Sequence, residues 1–183
     1  MLKLILNKKY NPLFSSDARY FIITGGRGSG KSFAVTVFLT LLTMTKGIRI
    51  LFTRYTMVSA HLSIIPEFLE KISLLGFESI FSINKSEVVN LGNQSDILFR
   101  GIKTSSGNQT ASLKSLQGIS TWCLDESEEL IDEDIFDTID LSIREKDIQN
   151  RIILILNPVT KEHWIYKRFF EEKGIEGGFN GVK

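Results

Sequence analysis

Two glycines with four residues between them, followed directly by a lysine and a hydroxyl, stand out in Gly25-Gly26-Arg27-Gly28-Ser29-Gly30-Lys31-Ser32. This is the spacing G-x-x-x-x-G-K-[ST], and its chemistry is phosphate binding. Backbone N–H groups can turn inward around phosphate oxygens only where β-carbons do not obstruct them. A helix starting near Gly30 aims its positive end at the same oxygens. On this reading Gly25, Gly26, Arg27, Gly28, Ser29 and Gly30 form the cradle, Lys31 reaches the β- and γ-phosphates, and the Ser32 hydroxyl ligates Mg²⁺. The spacing arises by chance in roughly 1% of chains of this length. The bland alternative is a glycine-rich turn with an incidental lysine, and the strand before and helix after it argue against that.

Hydrolysis of a nucleotide needs more than a cradle. It needs an acidic group at a neighbouring strand end to organise Mg²⁺, and another to polarise water. Ile119-Ser-Thr-Trp-Cys-Leu-Asp125-Glu126 offers both, with Asp125 for the metal and Glu126 for the water. An ordinary strand ending in an acidic turn is the alternative. A third apolar run, Arg151 to Leu156, ends in Asn157-Pro158, where an amide beside the nucleotide strands touches the γ-phosphate or the attacking water. A plain Asn-Pro turn is the competing reading. The acidic residues Glu128, Glu129, Asp132, Glu133, Asp134, Asp137 and Asp140 read as the solvated face of a helix rather than a two-metal nuclease. His61 and His163 have no ligand spacing and read as structural.

The elements that must position these groups alternate. Arg19–Thr24 is a strand, Ser32–Thr45 a helix, Ile48–Thr53 a second strand, and Ser59–Leu75 a helix with Pro66 as an irregularity and Gly76 as its stop. Glu87–Leu91 and Ser95–Arg100 flank Gly92-Asn93 as a hairpin placed at a sheet edge. Ile119–Leu124 and Arg151–Leu156 flank an acidic helix over Glu128–Arg144, the pattern of a mostly parallel sheet covered on both faces. A length of 183 residues suits one such domain. With 22 basic and 21 acidic residues there is no global field to recruit nucleic acid, so DNA contact rests on local patches, and Arg49, Arg54, Lys71 and Lys85 form none in sequence. The single Cys123 excludes an internal disulfide and fits the cytosol, and no membrane span or signal peptide is read.

Taken in order, the glycine loop, Trp122-Cys-Leu-Asp-Glu-Ser-Glu-Glu-Leu130 and Ile155-Leu-Asn-Pro-Val-Thr-Lys-Glu-His-Trp-Ile-Tyr-Lys167 resemble the large terminase subunit of tailed bacteriophages over about Tyr10 to Phe170. The resemblance implies an α/β P-loop NTPase of the ASCE type that hydrolyses ATP with Mg²⁺ to drive viral double-stranded DNA into a procapsid. Lys31 and Ser32 are then the nucleotide and metal ligands, Asp125 holds the metal, Glu126 is the catalytic carboxylate, and Asn157 lies in the coupling motif. Arg27 matches an arginine that contacts the γ-phosphate in cis, an effect of roughly 4 to 7 kcal/mol on the barrier if it acts as a finger. The implied partners are a portal protein, a small terminase subunit and further copies in a ring, with a monomer in isolation, in the host cytoplasm. Residues 1–173 form the motor domain, and the glycine-rich 174–183 is a linker towards a nuclease domain. Nuclease activity is not expected of this chain.

Two features depart from the family. Between Gly101 and Ile119 the only basic residues are Lys103 and Lys114, so an arginine acting on a neighbouring subunit is unassigned, with Arg54 and Arg144 as alternatives. No spaced nuclease carboxylates follow Asn157. Tyr10 and Phe14, ahead of the first strand, either cover adenine or pack on the sheet. Rival functions are a helicase-like DNA-remodelling ATPase, which shares Lys31, Asp125 and Glu126, and a nucleotide-gated assembly module, which has no need of Glu126.

Overall fold

The computed structural model describes residues 4–57, 60–104, 107–108, 113 and 115–175, so Lys114 and most of the 174–183 segment lie outside the described residues. Eight strands make one sheet: β1 Tyr20–Thr24, β2 Arg49–Thr56, β3 Phe81–Ile83, β4 Glu87–Asn90, β5 Asp96–Thr104, β6 Gly107–Asn108, β7 Thr121–Asp125 and β8 Arg151–Leu156. Their order is β1-β8-β7-β2-β5-β4-β3, with β6 paired to β5. The first five in that order run parallel, and β5-β4-β3 is antiparallel. Parallel neighbours require crossovers; α1 Pro12–Ser15 precedes the sheet, α2 Lys31–Leu42, α3 Ala60–Leu74 and α4 Glu133–Asp140 lie on the connections between strands, and α5 Trp164–Tyr166 follows β8. None of the described helices is long and apolar enough to cross a membrane.

Alternation along the strands splits the core in two. Ile50, Phe52, Cys123, Ile153 and Ile155 pack with Phe38 of α2 and Phe68 of α3. Leu51, Trp122, Leu124, Ile152 and Leu154 pack with Phe136 of α4 and Trp164 of α5. That second face is an aromatic stack, Trp122 to Phe136 at 5.3 Å and Phe136 to Trp164 at 4.7 Å. Both indoles are satisfied there: Trp122 Nε1 donates to Thr53 Oγ1 and Trp164 Nε1 to the Leu130 carbonyl.

Two expectations change. The hairpin forms, but only β4 is near the edge; β5 pairs with β2 on its other side, and the three-residue β3 is outermost. The acidic helix starts at Glu133, because Ser127–Glu129 is a separate 3₁₀ turn and Asp132 caps α4 by accepting from the Asp134 N–H. Pro66 sits inside α3 without ending it.

The hairpin turn is bound to the far end of α2. Asn90 Nδ2 donates to Thr43 O at 3.1 Å, Asn93 Nδ2 to Thr43 O and Met44 O at 3.0 Å, and Ser95 Oγ to Thr45 O at 2.8 Å. Carbonyls at a helix C-terminus have no intrahelical donor, so these side chains supply what the helix cannot. Asn90 is buried, and truncating it removes its bond to Thr43 O and leaves the Gly92 N–H without the Asn90 Oδ1 that accepts from it. Asn90→Ala is expected to lower stability by about 2 kcal/mol, read as a fall in thermal midpoint of roughly 5 °C.

Candidate nucleotide site

Strand register sets the site. Thr24 of β1 lies opposite Leu156 of β8, Ile155 of β8 opposite Asp125 of β7, and Leu124 of β7 opposite Thr53 of β2. The chain therefore leaves β1, β8 and β7 at nearly one level, through Gly25, Asn157 and Glu126, with Arg54 beside them inside β2. A cleft of about 370 Å³ opens there, lined by residues 27–33 together with Arg54, Asp125, Glu126, Glu128 and the end of β8 including Asn157. Lys31, Ser32, Asp125, Glu126 and Asn157, the site residues expected from the sequence, all line this cleft.

The loop from Gly25 to Gly30 is shaped by left-handed backbone. Gly28 has φ 74° and Gly30 φ 82°, and Gly30 is the residue from which α2 starts. A side chain at either is strained by its conformation alone. Lys31 folds back over the loop, donating to the Gly25 and Gly26 carbonyls and lying 3.4 Å from Asn157 Oδ1. Arg27 is exposed at the mouth with no hydrogen bond or ion pair to the described residues. Tyr10, 6% exposed, donates its hydroxyl to Ser29 O at 2.9 Å and so braces the loop from 19 residues upstream. Phe14 packs edge-on against Phe38 at 5.1 Å. Of the two roles open to this segment, the contacts made are those of packing.

Asp125 is buried and held by an arginine. Arg54 donates to Asp125 Oδ2 through Nε at 2.9 Å and NH2 at 2.6 Å, with Glu126 Oε2 a further 3.7 Å from Nε. Burial alone would lower the Arg54 pKa, and the charges of Asp125 and Glu126 more than offset it, so it is raised. Burial pushes the Glu126 carboxyl up from its ordinary value, Arg54 pulls it back down, and the negative charges of Asp125, Glu129 and Glu128 add to the rise. Its backbone is left-handed, φ 54° and ψ 45°, which costs a non-glycine residue about 1 to 3 kcal/mol and turns the chain sharply off β7. Ser127, fully buried next to it, has its hydroxyl 2.8 Å from Leu124 O and 3.1 Å from Ile155 O, tying the ends of β7 and β8.

Glu128 is where the structure corrects the reading of the acidic stretch. Glu129 is exposed, but Glu128 turns into the cleft and its Oε1 accepts from Asn157 Nδ2 at 2.6 Å. No sequence signal separates the two glutamates; the turn does. Asp140 departs from that reading too, being buried with its carboxylate held by Arg19 and by the Tyr20 hydroxyl, while Glu133 and Asp137 pair with Arg168 on the outside. His163 is structural: its Nδ1 accepts from the Ile165 N–H and its Nε2 faces Glu128 O at 3.2 Å. The side chain of His61 lies outside the described residues. Arg49 and Lys71, like Arg54, are engaged by carboxylates of the same chain. Arg144 is exposed, and Lys103 lies over the Tyr55 ring.

The donor set fits a magnesium ion carried by phosphate. Among the described residues no three His, Cys, Asp or Glu side chains converge on a metal. Mg²⁺ is ordinarily held by one or two protein oxygens plus substrate phosphates and water, which suits Ser32 and Asp125. Both guanidinium bonds fall on Asp125 Oδ2, leaving Oδ1 without a hydrogen-bond partner among the described residues.

A glycine cradle at a helix N-terminus, and an acidic strand separated from the cradle strand by one intervening strand, define a P-loop NTPase of the ASCE arrangement. The family model for the phage terminase large subunit matches residues 17–177. The chain belongs to that family. Solved structures agree in fold. A large terminase from a thermophilic bacteriophage is 13% identical at a TM-score of 0.73, over 93% of this chain and 43% of that one. The large terminase of bacteriophage HK97 is 12% identical at 0.69, over 94% and 38%. The large terminase ATPase domain of Thermus phage P74-26 is 19% identical at 0.65, over 89% and 68%. The chain thus spans about two fifths of the first two of these terminases. No curated protein matches it in sequence.

Tyr10→Phe removes only the hydroxyl that braces Ser29. It is expected to weaken binding of a fluorescent ATP analogue by about 3- to 10-fold, the worth of one neutral hydrogen bond, with the thermal midpoint little changed.

Proposed function

We propose that this chain hydrolyses ATP, with Mg²⁺, as the motor domain that drives viral double-stranded DNA into a procapsid. The observation that carries this reading is the arrival of Lys31 and Ser32, Asp125 and Glu126, and Asn157 at the carboxyl ends of neighbouring parallel strands, around one cleft. Structures of the large terminase from the thermophilic phage are complexes with ADP and with ATP-gamma-S, and a packaging motor assembly of bacteriophage Phi-29 shares the fold. Membership of the terminase family makes DNA packaging, rather than unwinding, the task that turnover serves.

The residues divide the work. Backbone N–H groups of residues 25–30 and the N-terminus of α2 take the phosphates, and the Lys31 ammonium leaves the loop carbonyls for the β- and γ-phosphate oxygens. Ser32 and Asp125 would hold the magnesium ion, which would supply positive charge against the transferred phosphoryl group. Glu126 accepts a hydrogen bond from the attacking water and orients it in line. Arg27, unpaired at the mouth among the described residues, is free to reach the γ-phosphate in cis. Asn157, at the end of β8 and 3.4 Å from Lys31, couples the state of the site to that strand. Viral DNA, a portal protein, a small terminase subunit and other copies of the chain in a ring are the partners this work requires, in the host cytoplasm.

Lys31→Ala should abolish binding of a fluorescent ATP analogue, whereas Glu126→Gln should retain binding within about threefold and lose turnover by at least about 100-fold. Unchanged binding in the first would sink the site, and equal loss of binding and turnover in the second would remove the catalytic role of Glu126. Because the Glu126 pKa is raised above its ordinary 4.5, its basic form is lost early on acidification. Turnover measured against pH is therefore expected to fall on the acid side with a midpoint above that of a free glutamate.

A further inference from the structure

The amide of Asn157 has one end that donates and one that accepts, and which end faces the cleft decides what it can do there. Two neighbours agree on the answer. Glu128 Oε1 lies 2.6 Å from Nδ2, and a carboxylate only accepts. Lys31 Nζ lies 3.4 Å from Oδ1, and an ammonium only donates. Glu128 is itself fixed. The His163 imidazole, with Nδ1 accepting from Ile165, carries its proton on Nε2 and donates to Glu128 O, and Ser127 pins the start of the turn to β7 and β8. The second carboxylate oxygen, Oε2, is buried at the cleft wall without a partner. It is available to a donor arriving in the cleft.

We infer that Glu128 is a positioning residue of the nucleotide site: it holds the NH₂ of Asn157 so that the carbonyl oxygen is presented to Lys31 and to the attacking water. Asn157 then acts as an acceptor, aligning a proton-bearing group, and not as a donor to a phosphate oxygen. This rests on the nucleotide-site reading, and it removes one of the two contacts that an asparagine at this strand end could make.

The side-chain amide of Asn157 gives a test that does not depend on turnover. In the ¹H–¹⁵N spectrum of the full chain, its NH₂ resonance is expected downfield and to shift in Glu128→Ala; an unmoved resonance overturns the contact. With ATP, Glu128→Ala should lower kcat by about tenfold or more and change the affinity for an ATP analogue by less than about threefold, and Glu128→Gln, which keeps a carbonyl to accept the same N–H, should recover most of the loss. The decisive variant is the exchange Glu128→Gln with Asn157→Asp. There the new glutamine donates to the new aspartate and leaves an acceptor facing Lys31. Turnover above that of Asn157→Asp alone supports an acceptor at this position, and no recovery in a folded double variant means that Asn157 works as a donor and the inference is wrong. Failure of the wild-type chain to bind the analogue would instead count against the site as a whole.

Discussion

Placing β8 between β1 and β7 is the constraint on which the remainder hangs. Parallel strands in register end together, so a glycine loop, an acidic pair and an amide that are distant in sequence come out of the sheet at one level. Backbone hydrogen bonds hold that alignment, and the two cores hold the backbone. Ile153 and Ile155 of β8 face α2 and α3 while Ile152 and Leu154 face the Trp122–Phe136–Trp164 stack. A strand buried on both sides has no tolerance for a one-residue slip, since that exchanges its two faces and moves Asn157 out of line.

The cleft that results is dense in opposed charge. Lys31, Arg27 and Arg54 meet Asp125, Glu126 and Glu128 within one lining. Taking Asp125 out of water would be costly without a counter-charge, and Arg54 supplies one with two hydrogen bonds. Lys31 is likewise occupied by loop carbonyls. The charged groups are thus preorganised against one another, and an incoming anion exchanges partners instead of recruiting them from solvent.

Much of this was legible in the residues. The strand, glycine loop and helix are local, so their pattern survives in any window that contains them, and the apolar runs ending at Asp125 and Asn157 mark strand ends by composition alone. The remainder depended on pairings that chain order does not contain. Arg54 meets Asp125 only because β2 adjoins β7, 71 residues on. The hairpin reads as an edge feature from its own two strands, and it is the parallel pairing of β5 with β2 that puts β5 inside. Glu128 was hidden for a subtler reason. Helical periodicity over an acidic stretch predicts a wetted face, but the left-handed Glu126 and the anchored Ser127 break that period, so Glu128 points in while Glu129 points out. Tyr10 reaches Ser29 through a hydroxyl, and nothing in its spacing distinguishes that from ordinary packing.

The clamp between the hairpin turn and the end of α2 carries a mechanical consequence. α2 has 12 residues, a strut of about 18 Å, with the phosphate loop at one end and Asn90, Asn93 and Ser95 at the other. A stiff rod transmits axial thrust without shortening. A push delivered at Gly30 must therefore either break the hydrogen bonds at Thr43, Met44 and Thr45 or carry the hairpin with it, so that the β3–β4 margin of the sheet is geared to the phosphate loop although it shares no residue with the cleft.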